Sequence, residues 1–288
     1  MPISLDDIRA AAAAITGAAS GIGRALAQEL AARGCHLALG DRDEAGLQAV
    51  AAEIGKARRC KVTTHRVDVS EPAQIQDFAA AAIAAYPDLN IVVNNAGVAL
   101  MGNFDEIDQA QMDWLMNINF WGVVHGTRAF LPHLAKQREA HIVNLSSVFG
   151  IIAPTGQSAY AAAKFAVRGF SESLRHELWA AKSPIKLSVV HPGGIATNIV
   201  RNARLGSGIA DNTRRTASIE GFDKAARTTP AAAAIRIAEG IERNEPRILI
   251  GFDAKFVDVL QRLLPAIYWK ALGGIFNRRA RLGTKQEA

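Results

Sequence analysis

Short apolar runs and amphipathic stretches alternate along almost the whole chain. The apolar runs lie at 10–16, 35–41 ("CHLALGD"), 61–68 ("KVTTHRVD"), 89–95 ("LNIVVNN"), 140–146 ("AHIVNLS"), 185–191 ("IKLSVVH") and 246–251 ("PRILIG"). They read as strands, and their near-continuous apolar character marks a parallel sheet buried on both faces. Between them, helical stretches fall at 21–33, 43–55, 71–85, 106–136, 157–181 and 230–243. Alternation of this kind predicts a single α/β domain over 1–288, a doubly wound seven-stranded parallel sheet with helices on both faces.

Two segments break the rhythm. The run "IRAAAAAITG" is Ala-rich, and alanine favours helix, so an N-terminal helix is the alternative to a first strand there. The strand reading rests on the glycine-rich turn directly after it, and small residues suit a central strand with close neighbours. Residues 194–228 are rich in Gly, Asn, Arg, Ser and Thr, and predict a long mobile insertion that closes a pocket as a lid.

Composition narrows the class. An apolar content of 49% in 288 residues fills a real core. The two cysteines, Cys35 and Cys60, form no CxxC or Cys/His cluster, so neither a disulfide framework nor a metal site is expected, and a reducing, cytoplasmic setting fits. The N-terminal stretch does not read as a signal peptide, and no run approaches the roughly 20 apolar residues of a membrane span. The net charge is +6, but from Lys255 onward seven Lys/Arg face two acids, so the excess belongs to a basic C-terminal extension at about 254–288. Nucleic-acid binding needs positive charge clustered on the working face, and none is expected here.

After the first strand comes "TGAASGIG", with Gly17, Gly21 and Gly23, running directly into a helix. Glycines permit a tight turn and close approach to a pyrophosphate, and the helix N-terminus offers free N–H groups to it. The second strand ends in Asp41, about two dozen residues on, which completes a Rossmann-type dinucleotide pattern. Further along, "SAYAAAKFAV" sets Tyr160 and Lys164 four residues apart on one helix face, "IVNLSSVFG" ends a strand with Ser146 and Ser147, and "MNINFWG" carries Asn119. Alone, each is ordinary: an exposed i, i+4 pair, a strand end, a buried amide. Together they lie at the carboxyl ends of strands, where open α/β sheets bind ligands.

With these residues in place, the sequence closely resembles the short-chain dehydrogenase/reductase family. The matching segments are "TGAASGIG", Asp68–Val69, "NNAG" at Asn94–Gly97, Asn119, Ser147, "YAAAK" and "HPGGIAT", in the family's order and spacing. The resemblance implies that Tyr160 is the general acid/base and that Lys164 lowers the tyrosine's pKa and hydrogen-bonds the nicotinamide ribose. It implies that Ser147 orients the substrate oxygen, and that Asn119 holds a water linking Lys164 to solvent. It also implies a cofactor site made of Gly17, Ser20, Gly21, Ile22, Gly23, Asp41, Arg42, Asp68, Val69, Asn95, Ala96, Gly97, Tyr160, Lys164, Pro192, Gly193, Ile195 and Thr197. His191, just before the motif proline, reads as a strand end.

The cofactor is read as NAD in preference to NADP. Asp41 can accept hydrogen bonds from ribose hydroxyls and repels a 2′-phosphate, and Ser20 brings no positive charge. Arg42 is the one residue that favours NADP. The expected reaction is hydride transfer between nicotinamide and a hydrophobic secondary alcohol or ketone, because Leu100, Met101, Val148, Phe149, Ile151 and Ile152 fall near the site. The alternatives are a non-catalytic NAD(P)-binding regulator, or a lyase or epimerase on the same fold. A homodimer or homotetramer is expected, with helices 106–136 and 157–181 as contact surfaces. The aromatic, basic tail allows peripheral contact with an anionic membrane, or packing at a subunit interface or over the substrate mouth.

Overall fold

A computed structural model describes residues 11–57, 60–209 and 213–273. Its strands are β1 (Ala12–Thr16), β2 (His36–Asp41), β3 (Val62–Arg66), β4 (Leu89–Asn94), β5 (Leu100–Met101), β6 (Ala140–Leu145), β7 (Ile185–Pro192), β8 (Arg204–Leu205) and β9 (Arg247–Ile250). Seven of them form one parallel sheet in the order β3-β2-β1-β4-β6-β7-β9. The direction of winding reverses between β1 and β4, which opens a crevice at the strands' carboxyl ends. All seven expected strands are present, each within two or three residues of its predicted ends.

The helices are α1 (Gly21–Ala32), α2 (Glu44–Ala57), α3 (Pro72–Ala85), α4 (Gln109–Met116), α5 (Gly122–Leu134), α6 (Ser158–Ala180), α7 (Thr213–Ala225), α8 (Pro230–Glu242) and α9 (Phe252–Leu263). One core layer packs α1, α2 and α8 on the sheet around Leu26, Leu30, Leu47 and Ile237. The other packs α3, α5 and α6 around Phe78, Phe130 and Leu187.

The Ala-rich segment is a strand. Ala11, Ala13 and Ile15 face one layer and Ala12 and Ala14 the other, with β1 paired on both edges. Helix propensity loses because a helix this short is below the roughly 12–15 residues that persist in water, whereas two flanking strands satisfy the whole backbone.

Two expectations need correction. The helix read at 106–136 begins only at Gln109 and is interrupted by a π-helical turn, Asn117–Trp121, between α4 and α5. The 194–228 insertion is more ordered than a loop. Its base is closed by the Ile195–Thr228 bridge, β8 pairs with β5, and α7 occupies Thr213–Ala225. The proline-free run "TRRTASIEGFDKA" is helix-compatible, a property that the polar composition concealed. The C-terminal helix α9 starts at Phe252, two residues before the predicted extension; the arginine-rich stretch 274–288 and the residues before 11 lie outside the described residues.

Candidate active site

The glycine loop is held open by its own backbone. Gly17 and Gly21 have φ of +67° and +54°, the left-handed region that favours glycine. A Cβ on Gly17 would lie 2.7 Å from Ala96 Cα, and one on Gly23 would lie 2.1 Å from the Gly17 carbonyl oxygen. Asn95 locks the loop from the fourth strand's end: its Nδ2 donates to the carbonyls of Thr16 and Gly17 at 2.9 and 3.0 Å. The Thr16 hydroxyl in turn accepts the N–H groups of Asn95 and Ala96 at 3.1 and 3.2 Å. Ser20 is the N-cap of α1, and its hydroxyl makes no capping bond; no acidic residue occupies the first turn. That helix end is therefore configured for an anion, whose interaction with the dipole contributes about 0.3–1 kcal/mol.

Around the loop the other expected cofactor residues converge. Asp41 Oδ2 accepts the Ala19 N–H at 3.0 Å and Oδ1 accepts that of Asp43 at 3.1 Å, while Arg42 is exposed beside it. Asp68 Oδ1 accepts both the N–H and the hydroxyl of Ser70, and Val69 packs under Gly122. Across the loop, a Cβ on Gly21 would lie 3.4 Å from Thr197 Cγ2. Pro192 ends β7 and Gly193 and Gly194 follow, braced by the Asp253 carboxylate, which accepts the Gly194 N–H at 2.6 Å. Ile195 is only 4% exposed and belongs to the α1/α8 core. Ile22, half-buried in the first turn of α1, packs against the same layer.

The reactive residues meet at the same strand ends. Tyr160 and Lys164 stand one turn apart on α6, with Lys164 Nζ 5.6 Å from the Tyr160 ring centroid. Lys164 Nζ donates to the Leu145 carbonyl at 3.0 Å, and a Cβ on Gly97 would lie 3.6 Å from the same nitrogen. Ser147 follows β6 and stands close enough to Tyr160 to lower the phenol's pKa, and its Oγ accepts the Phe149 N–H at 3.1 Å. His191 is the penultimate residue of β7, one before Pro192. It is buried and its Nδ1 donates to the Ser147 carbonyl at 2.9 Å, so it braces the serine from behind. Burial keeps this imidazole neutral, down at about 4.

The electrostatics differ from the expectation. Burial pushes the Tyr160 phenol up to about 12, with the neighbouring Ser147 hydroxyl opposing it, and pushes Lys164 down to about 8. Desolvation of two neighbouring groups outweighs the lowering expected from the ammonium. Asn119 sits in the π-helical turn, fully buried, and its amide clamps Val98: Oδ1 accepts the N–H at 2.8 Å and Nδ2 donates to the carbonyl at 2.9 Å. One N–H and one lone pair of that amide remain for a water.

Three supports were not legible beforehand. Ser146 Oγ donates to the Lys164 carbonyl at 2.9 Å, tying α6 to β6. Asn94 donates to Asn144 and Thr127, and Asn144 donates to Ser171, which makes a buried polar chain across β4, β6 and α6. Asp253 on α9 braces the Pro192–Gly194 turn. The first two hints were polar residues inside strands and a helix, and no spacing rule pairs them.

A doubly wound sheet with a glycine loop, an acid after β2 and a Ser–Tyr–Lys cluster at the switch point defines a dinucleotide-binding oxidoreductase fold. The family model for short chain dehydrogenase matches residues 11–249. "Putative oxidoreductase SadH" of Mycobacterium tuberculosis is 44% identical over 257 residues, covering 89% of this chain and 91% of that protein. Xenopus laevis "Dehydrogenase/reductase SDR family member 7B" is 30% identical over 284 residues, covering 96% and 84%. Among solved structures, a short chain dehydrogenase/reductase from Burkholderia phymatum in complex with NAD superimposes with a TM-score of 0.81 at 32% identity, covering 89% of this chain and 94% of that one. The chain belongs to the short-chain dehydrogenase/reductase family of oxidoreductases.

Proposed function

We propose that the protein catalyses hydride transfer between a nicotinamide dinucleotide and a hydrophobic secondary alcohol or ketone. The observation that carries this reading is the meeting of Ser147 with the buried Tyr160 and Lys164 beside a glycine loop where added Cβ atoms would collide with backbone. The residues present fit the dinucleotide: Gly17, Ser20, Gly21 and Gly23 would face the pyrophosphate, Asp41 the adenosine ribose, Lys164 the nicotinamide ribose, and Pro192–Thr197 the carboxamide. The nicotinamide supplies or receives the hydride when bound, and the protein contributes position, proton and polarity.

In the reducing direction Tyr160 Oη gives its proton to the substrate oxygen, and in the oxidising direction it removes it. Ser147 Oγ donates a hydrogen bond to that oxygen and so orients it. Lys164, at about 8, can both carry and release a proton near neutral pH, which suits it to recharge Tyr160. The hydrophobic preference is supported by the cluster around Tyr160, where Met101, Phe149, Ile199, Val200 and Leu205 gather, and by the edge-on Phe149 ring 6.1 Å from the Tyr160 ring. The Asp41 carboxylate supports NAD over NADP, as does the NAD complex of the Burkholderia relative. A cytoplasmic homodimer or homotetramer remains part of this reading, with exposed Trp121, Phe165 and Trp179 available for subunit contact.

The test is a panel of aliphatic, aromatic and steroidal alcohols and ketones with NAD(H) and NADP(H), read at the reduced-nicotinamide absorbance band. Turnover of apolar secondary alcohols with NAD is the expected result. Strong preference for sugars or charged acids overturns the substrate class, and no turnover with any member favours a non-catalytic regulator.

A further inference from the structure

Helix α9 has two faces that the rest of the fold treats differently. Ala254, Val257 and Asp258 are buried against the body. Phe252, Phe256, Val259 and Leu263 recur at i, i+4, i+7 and i+11, on one stripe of the helix. They are exposed by 83, 43, 55 and 73%, and the Phe252 and Phe256 rings stack on each other rather than on the core. Ile267 and Trp269, just beyond, are exposed as well. A contiguous apolar stripe of this extent marks an interaction surface.

The charges around the stripe select the occupant. Lys255 and Arg262 flank it, three residues after Phe252 and Val259 respectively, and Lys270 follows beside Trp269. Of the acids on α9, Asp253 is turned to the Gly194 N–H and Asp258 is bound by Arg247 and Arg262. Arg262 also borders a groove of about 490 Å³ between α6, β9 and α9, where Arg168, Arg175, Arg247 and Arg262 outnumber Glu172 and Asp258. The sequence continues past the described residues with Arg278, Arg279, Arg281 and Lys285 against Glu287. A second copy related by a two-fold axis would bring these like charges together, whereas an anionic surface neutralises them.

We propose that the α9 stripe docks the protein on an anionic lipid bilayer, with the apolar side chains in the headgroup–acyl boundary and lipid phosphates on the Lys255/Arg262 flank and in the arginine groove. Two contacts join this surface to the catalytic side. Tyr268 Oη accepts the Ala153 N–H at 3.0 Å, and Asp253 braces the turn after Pro192. Docking therefore sets the loop after Gly150 near the membrane, so an apolar substrate can enter from the lipid. That delivery rests on the substrate class proposed above; the docking does not, and it is measured without turnover.

The test is co-sedimentation of the full chain with vesicles of phosphatidylcholine alone or mixed with phosphatidylglycerol, together with light scattering after size exclusion. The expected result is binding to the anionic vesicles only, weakened by high salt and retained when 274–288 is deleted. In the Phe252→Ser/Leu263→Glu variant the vesicle affinity falls roughly tenfold or more, while the oligomeric state and circular dichroism stay as in the wild type. Lys255→Glu is a second, fold-neutral probe and lowers binding to anionic vesicles in the same assay. Absence of vesicle binding overturns the proposal, as does equal binding by the double variant or loss of binding on the tail deletion alone. A smaller oligomer in the double variant assigns the stripe to a second copy and also overturns it.

Discussion

The Asp41 carboxylate grips the glycine loop directly, accepting the Ala19 N–H at 3.0 Å while its other oxygen accepts that of Asp43. The acid that would discriminate between dinucleotides is thus fixed in place before any ligand arrives, and Arg42 is the exposed side chain beside it. Asp41→Ala should raise the NADP/NAD ratio of kcat/KM by roughly tenfold or more, because a like-charge contact with a 2′-phosphate is removed. It should also lower the melting temperature slightly through the two lost hydrogen bonds. An unchanged ratio in steady-state kinetics would refute Asp41 as the selector.

Tyr160→Phe removes the proton donor and leaves the ring packed on Phe149. Turnover should fall about 10²–10⁴-fold, and cofactor affinity, followed by nicotinamide fluorescence, should stay within a few-fold of wild type. Retained turnover removes Tyr160 from the mechanism.

Lys164 is only 4% exposed, and burial takes it from 10.5 to about 8. The charged form is the one penalised, at a cost of about 3 kcal/mol, full below pH 8 and vanishing as pH rises toward 10.5. Lys164→Met should therefore raise the melting temperature by a few degrees at pH 7 and abolish turnover, with the stability gain shrinking at high pH. A destabilised variant at pH 7 would show instead that the bond to the Leu145 carbonyl outweighs the desolvation.

His141, inside β6, and His191, at the end of β7, are both buried and both held down at about 4 from 6.5. Between those values the unfolded chain binds protons that the folded chain excludes, so the stability present above pH 6.5 is lost as pH falls toward 4. Thermal melts from pH 7.5 to 4.5 should show this decline, and His141→Gln should flatten it. An equally steep decline in that variant would assign the acid sensitivity elsewhere.

Gly23→Ala places a methyl 2.1 Å from the Gly17 carbonyl and 2.5 Å from Asn95 Nδ2, inside the lock on the loop. NAD affinity by calorimetry should drop by at least tenfold, since the loop cannot keep both its turn and its bonds to Asn95. Wild-type affinity would show that the loop gives way without harm.

Most of the sheet was readable in one dimension because strands buried on both faces are predominantly apolar runs, and the amphipathic helices carry their own period. The reactive residues were readable too, since Tyr160 and Lys164 share a helix face by spacing alone and Gly17, Gly21 and Gly23 serve a turn that side chains obstruct. The limits of the 106–136 helix were not, because the π-helical turn at Asn119 coincides with a clamp on Val98, a partner 21 residues away in the chain. Nor was the balance at Tyr160. Sequence places a lysine beside the phenol, and only the packing of β6, α6 and the turn after Ser147 buries both, which raises the phenol and lowers the ammonium. The same holds for α9, whose apolar positions are plain in the chain. Which of them are buried depends on the packing of α9 on β9 and on the turn Val148–Gly150, which turns Ala254 and Val257 inward and leaves Phe252 and Leu263 in the open.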